Sequence, residues 1–306
     1  MSAPCCNMLS DYLRKSFGCK VYKVTVDAGF TCPNRDGTKG FGGCSYCDPE
    51  TLVPMEYAGA DIRRQIEDGI EKVRARHRAD KFIAYFQVNT NTYAPVESLE
   101  SMYRVAFGFP EVAGIAVSTR PDCVGDGVLN LFRRLIDEGR RVWLELGLQS
   151  ANDETLRAVN RGHTAAEFED AARRAHGQGI DVCAHVMVGL PGDGRDGVLN
   201  TMRFLSRLKV WGVKFHQLQI IRGTALHRMY EQGKISTLSL DEYSKLVVES
   251  LEILPPDTVI HRLCGDVPSR YLVAPNWGAN KFMIMERIAG IMRERKTFQG
   301  ARFEGA

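Results

Sequence analysis

Apolar and polar positions change period along this chain, and the changes mark out alternating elements. Runs rich in β-branched and aromatic residues predict strands at Val21–Asp27, Phe82–Val88, Ala113–Thr119, Val142–Gln149, Asp181–Val188 and Val213–Ile221. Between them, apolar residues recur at helical spacing. Ile62, Ile66, Ile70 and Val73 share one face, as do Leu99, Met102, Tyr103 and Ala106, and then Val128, Leu131, Phe132 and Leu135. Two helix starts carry a capping box, Thr164 with Glu167 and Ser239 with Glu242. Strand–helix alternation of this kind builds βα units around a parallel sheet. With no internal repeat, low-complexity tract or long linker, the pattern predicts an α/β fold: a partial (β/α)6 TIM-like barrel with parallel strands over residues 1–235, including an N-terminal extension. Residues 236–306 then form a C-terminal α/β appendage packed on the barrel, with a helix at Asp241–Leu254, a strand at Val259–Cys264 and a helix at Lys281–Arg295.

Strand parity divides the side chains between lumen and helix layer, because alternate residues face opposite ways. In VWLELGLQ, Val142, Leu144, Leu146 and Leu148 share the helix-facing side, while Trp143, Glu145, Gly147 and Gln149 share the other. The same rule groups Tyr85, Gln87 and Asn89, Ser118 with Arg120, Cys183 with His185, and Lys214 with His216. Polar residues thus gather on one face of five successive strands, mostly toward their C-terminal ends, where sites lie in parallel α/β folds.

Composition narrows the class without choosing a partner. A chain of 306 residues can bury a full core without staples. Its nine cysteines are odd in number and follow no framework spacing, which fits reduced thiols in a cytosol better than a secreted disulfide scaffold. The start, MSAPCCNMLSDYLRKSFG, lacks a basic stretch followed by an apolar one, and no apolar run reaches membrane-span length; a soluble, cytoplasmic protein with no membrane partner is expected. A net charge of +3 with both signs interspersed is compatible with nucleic acid and does not demand it.

Three of the cysteines fall in one glycine-rich loop just after the first strand. CPNRDGTKGFGGCSYC places Cys32, Cys44 and Cys47 at C-x11-C-x2-C spacing. Such thiolates could bind zinc or an iron–sulfur cluster, or be plain loop cysteines. A structural zinc site closes with four protein ligands. Here no histidine precedes His77, and Cys5, Cys6 and Cys19 lie at the opposite end of the strand. A four-iron cube held by three cysteines would leave one iron open to a small molecule. Gly37, Gly40, Gly42 and Gly43 let the backbone wrap closely round a bulky group, and Tyr46 can shield it from water.

These residues resemble the radical S-adenosylmethionine (SAM) superfamily, and the resemblance covers nearly the whole chain. The loop keeps C-S-Y-C, with its x2 spacing and its aromatic before the last cysteine, but the first gap is expanded, as in the Elongator catalytic subunit and, more closely, bacterial proteins of the YhcC type. CPNRDGTKGFGGCSYCD, YFQVNTNTYAP, VSTRPD, LELGLQS with NRGHT, VMVGLPG and KFHQLQIIRGTAL carry the similarity to the latter. The resemblance implies a radical SAM enzyme that cleaves S-adenosyl-L-methionine reductively at a [4Fe-4S] cluster to give a 5′-deoxyadenosyl radical, with an electron donor such as flavodoxin or ferredoxin. It places Glu145 on ribose hydroxyls or the methionine amino group, Arg161 on the methionine carboxylate, Ser118 on the cofactor, and Gly189, Leu190 and the backbone near Gln219 around adenine. Many members carry a G-G-E-P-like turn after the second strand; here QVNTNTYAP stands in its place, so Thr90, Asn91 or a neighbouring carbonyl is expected to bind the amino group.

The substrate is written more faintly. Gln87, Asn89, His185, Lys214 and His216 are lumen candidates, with Arg222 and the segment HRLCGD from His261 to Asp266. Similarity to the Elongator subunit makes a tRNA nucleotide the first expectation, without acetyl transfer, since little chain follows the barrel. The ELGLQS strand is shared with oxygen-independent coproporphyrinogen oxidases, which makes a tetrapyrrole or other small molecule the competing enzyme reading. Two further classes are a zinc-stabilised RNA-binding barrel without catalysis and an iron–sulfur redox sensor.

Overall fold

The computed structural model describes residues 6–51 and 60–305. Seven strands form one parallel sheet in chain order: β1 (Val21–Val26), β2 (Lys81–Phe86), β3 (Val112–Thr119), β4 (Arg141–Gln149), β5 (Asp181–Val188), β6 (Gly212–Gln217) and β8 (Val259–Arg262). The sheet curls into a half-barrel. A short β7 (Ile220–Ile221) leaves it to pair antiparallel with β9 (Leu272–Ala274). Helix α1 (Leu9–Phe17) precedes β1, and α2 (Ile62–His77), α3 (Val96–Ala106), α4 (Asp126–Asp137), α5 (Asp153–Ala158), α6 (Ala165–Gly177) and α7 (Gly194–Leu208) fill the successive crossovers. Helices α8 (Ala225–Glu231) and α9 (Leu240–Ile253) lie between β7 and β8, and α10 (Lys281–Arg295) follows β9.

The partial barrel matches the expectation, but the strand count of six is corrected to seven. Val259–Arg262, read from sequence as part of the appendage, joins the main sheet beside β6 with Gly212 opposite Val259 and Lys214 opposite Arg262. Four residues, half of them polar, carry too little periodicity to reveal this; burial of Val259 and Ile260 on a sheet edge decides it. The expected strand Val213–Ile221 also divides. Leu218 N–H still donates to Val188 O at 2.9 Å, after which the chain leaves the sheet for β7.

Leu144, Leu146 and Leu148 of β4 pack outward against the helix layer with Phe132, Phe168 and their neighbours, as parity requires. Each is fully buried, an arrangement that contributes roughly 2 kcal/mol per side chain. Both capping boxes form: Glu167 N–H donates to Thr164 Oγ1 at 3.2 Å and Glu242 N–H to Ser239 Oγ at 3.2 Å, each glutamate reaching back to the cap residue's own N–H.

The lower end of the lumen is filled. Leu9 and Leu13 on one face of α1 stack on Val21, Ile83, Ala116, Trp143 and Val259, residues near the N-terminal ends of the strands. Helix α1 packs on both β1 and β8, the two edges of the sheet, and Ile260 N–H donates to Asn7 O at 2.7 Å. It ends at Gly18, whose φ of 68° lets its N–H return to Arg14 O at 2.9 Å. With the bottom closed, the polar ends of the strands are left facing the other way.

Candidate active site

At the C-terminal ends of the strands lies a cavity of about 680 Å³, within the range of ligand sites. The loop after β1 forms one wall and brings Cys32, Cys44 and Cys47 to it, with Tyr46 beside them. The loop folds on itself: Arg35 and Asp36 N–H groups donate to Cys32 O at 2.8 and 3.1 Å, and Cys47 N–H to Cys44 O at 3.0 Å. Gly43, at φ 79°, holds a backbone conformation that strains any residue with a side chain, and a Cβ there would also press on the Arg35 guanidinium at 2.9 Å. That guanidinium in turn donates to Cys47 O at 3.0 Å.

A second loop clamps the first. Ser45 N–H donates to Val159 O at 3.0 Å, Asn160 Nδ2 to Gly43 O at 2.8 Å and Asn34 Nδ2 to Asn160 O at 2.6 Å. Next along, Arg161 lines the cavity, its Nη1 3.5 Å from Cys44 Sγ and its Nη2 donating to Gly147 O at 2.7 Å. Its Nε donates to His163 Nε2 at 2.9 Å. Burial, with Arg161 beside it, brings His163 down to about 3, so the ring is neutral and free to accept that bond. Burial alone would raise the Cys44 thiol, but Arg161 outweighs it and holds the group below its ordinary value; Cys47, more weakly compensated, is pushed by burial up to about 11.

The donor set fits an iron–sulfur cluster. Three soft thiols share one cavity wall, the donor type that holds such a cluster, with one thiolate to each of three irons. None of the eight described cysteines is in a disulfide, and Cys5 lies outside the described residues. Thr90 Oγ1, in the wall, is buried with no protein partner, an open position for a ligand donor.

Ser118 and Gln219 also line the cavity, as do the substrate candidates Gln87, Asn89, His185, Lys214 and His216. Parity therefore brought the lumen residues of separate strands to one place. Four other expected residues do not line the cavity. Asn91 is fully buried behind the wall, donating to Val88 O at 2.9 Å and Ser118 O at 3.0 Å. Leu190 packs with Leu218 and Leu226 in a separate apolar cluster, and Gly189 abuts Leu238; neither lines the cavity.

Glu145 is the fourth and the most informative. It is 0% exposed and lies beneath the cavity floor, where Oε2 accepts from Lys214 Nζ and His185 Nε2, both at 2.8 Å. Oε1 is bonded by Lys23 Nζ and by Trp143 Nε1 at 3.2 Å, and His261 Nδ1 stands 3.4 Å away. Both oxygens are engaged by side chains of the protein itself. Burial would raise its pKa, but Lys214 and Lys23 hold it well below the carboxylate range. Lys214, which also donates to Tyr85 OH at 2.8 Å, is brought by burial down to about 8 despite Glu145. Burial and the neighbouring cations lower His185 to about 3, His261 to about 4, and His216 well below its ordinary value.

Backbone strain borders the cavity. Val88, Asn89 and Gln149 all line it at φ of 71°, 57° and 75°, a region β-branched residues in particular avoid. The β4–β5 register slips between Gly147 and Gln149, turning Gln149 onto the rim.

The sequence pattern of the Radical SAM superfamily matches residues 32–205, and that of the Radical SAM C-terminal domain residues 210–294. Over 97% of its length this chain is 38% identical to the uncharacterized protein YtqA of Bacillus subtilis, covering 92% of it. It is 37% identical to protein YhcC of Escherichia coli, covering 94% of this chain and 92% of that one. Similarity to the tRNA uridine(34) acetyltransferase of Dehalococcoides mccartyi is partial: 29% identity over 53% of this chain and 35% of that protein. Among solved structures, the archaeal Methanocaldococcus infernus Elp3 shares the fold at a TM-score of 0.69 and 19% identity, covering 91% of this chain and 64% of that one. Among the described residues, no helix is long and apolar enough to cross a membrane.

Proposed function

This chain belongs to the radical SAM superfamily and is an enzyme, and from that premise we propose that Cys32, Cys44 and Cys47 hold a [4Fe-4S] cluster with S-adenosylmethionine beside it, facing a substrate over His185, Lys214 and His216. The observation that carries this reading is the single cavity that all six residues share with Arg161. When bound, the cluster and SAM supply one-electron cleavage of a carbon–sulfur bond to methionine and a 5′-deoxyadenosyl radical.

The chain's own residues bind and orient. Arg161 is fixed by His163 and Gly147 O and keeps guanidinium N–H groups for the methionine carboxylate, a planar match for an oxyanion. Thr90 Oγ1, unpartnered in the wall, takes the place expected of the missing G-G-E-P-like turn toward the amino group. Ser118 and Gln219 contribute polar contacts along the same wall, and Tyr46 covers the cysteine loop. Glu145 contributes at one remove, by holding Lys214 and His185 in place.

For the substrate, the partial similarity to a protein named for tRNA uridine acetylation supports a tRNA nucleotide as the first to test. A second reading, a small molecule, is supported by the cavity itself, a well of about 680 Å³ and not a flat basic face. A low-potential carrier of the flavodoxin or ferredoxin class would supply the electron.

Anaerobic reconstitution tests the proposal. About four irons per chain with matching sulfide are expected, with a paramagnetic spectrum that shifts on adding SAM and slow formation of 5′-deoxyadenosine. Cys32→Ala, Cys44→Ala and Cys47→Ala should each lose all three. Folded protein that takes up one zinc, or whose iron signal ignores SAM, would overturn it.

A further inference from the structure

The cavity floor carries more positive than negative charge. Lys23, Lys214 and Arg262 meet there around one carboxylate, Glu145. The imidazoles packed among them, His185, His216 and His261, are neutral because burial and these cations together suppress protonation. Lys23 and Lys214 are both paired with Glu145; Arg262 is not. Among the described residues it makes no ion pair, its Nε is buried without a partner, and its Nη2 lies 2.6 Å from the uncharged ring of His216. Arg120, another arginine at this cavity, shows the ordinary alternative: its Nε and Nη2 donate to the two carboxylate oxygens of Asp122, at 2.9 and 3.0 Å. Arg262 is half-buried, with its Nε fully buried and unpartnered, and a donor left in that state costs stability, so the ion-pairing that accounts for Lys23 and Lys214 does not account for Arg262.

Its surroundings hold it in position. Register places Arg262 opposite Lys214 at the upper end of β8, and both line the cavity with His216. The loop after β8 is pinned by Gln217, whose Nε2 donates to Gly265 O at 3.1 Å and whose Oε1 accepts from Gly265 N–H at 2.6 Å. The guanidinium is therefore held at the wall, against His216, with donors to spare.

We propose that Arg262, with Lys214 and His216, forms an oxyanion subsite that binds a carboxylate or phosphate group carried by the substrate. The inference rests on the cavity being the catalytic one, and it adds the chemical class of what enters: an anion, held by a guanidinium fork with an ammonium beside it. It is a site apart from Arg161, which lies against Cys44 and is held by Gly147 O and His163.

The test follows the thermal midpoint of the cluster-loaded, SAM-saturated enzyme while sodium phosphate, or in a second series sodium acetate, is titrated at constant ionic strength. Either anion is expected to raise the midpoint; a response to phosphate alone marks a phosphate-bearing substrate, to acetate alone a carboxylate. Arg262→Gln should need at least about ten-fold more anion for the same rise, one lost charge-assisted contact of roughly 1.4 kcal/mol, and Arg262→Lys should fall between. Without added anion, Arg262→Gln should melt no lower than wild type, since it removes an unpaired charge. The same titration on cluster-free chain separates the two readings: an anion response there stands even if iron or SAM fails to bind. No response to either anion, an unchanged response in Arg262→Gln, a lower melting Arg262→Gln, or displacement of SAM by the anion would each overturn the proposal.

Discussion

A histidine buried beside lysines does not titrate where a free one does. His261 faces Glu145, Lys23 and Lys214, packs edge-on against Trp143 and Trp211, and is lowered to about 4, burial being the first cause. Its folded pKa lies below its unfolded one, so the unfolded chain binds the proton first. Stability is complete above about pH 6.5 and is lost as pH falls toward 4. His261→Phe should flatten the pH dependence of the melting midpoint in that window, removing a share on the order of 3 kcal/mol, while His185 and His216 keep the remainder. An unchanged slope in the variant would show that the ring is solvated. Parity found Tyr85, His185, Lys214 and His216 because each alternates cleanly with apolar neighbours. The same alternation in VYKVTV puts Lys23 on the lumen face with Val21 and Thr25. What parity could not see is depth: Glu145 and Gly147 share a face, yet only the latter reaches the cavity.

Strands were legible to within a residue or two where a β-branched run carried them, except Val213–Ile221, which divides, and helices wherever a cap and a periodic stripe agreed. Pairing was less legible, because it depends on contacts between strands. Gly114 is an example. On β3 it faces β4 so closely that a Cβ would stand 2.4 Å from Arg141 O, backbone that cannot step aside. Gly114→Ala should cost about 2 kcal/mol by overpacking, read as a lower urea midpoint at unchanged slope; a midpoint equal to wild type would mean that the β3–β4 pair spreads freely. Strand β8 was legible as a strand, but its place in the main sheet was not: four residues hold too few alternations, and its partner β6 is more than forty positions away.

Across the whole molecule, the two ends of the described chain meet. Asn7 N–H donates to Gln299 Oε1 at 2.9 Å, and Gln299 Nε2 donates to Pro255 O and Thr258 O at 2.7 and 2.8 Å, beside the strand that holds α1. We therefore expect the 1–235 and 236–306 segments to unfold together. A chain stopped at residue 235 loses β8 and should show no cooperative transition, and the full chain should give one calorimetric peak; two separated peaks would make the segments independent. Beneath the lumen, Trp143 and Trp211 lie 5.5 Å apart under the cover of α1. Among the described residues this end of the lumen is therefore stoppered, and a molecule that enters from the strands' C-terminal ends meets a packed wall of rings below it.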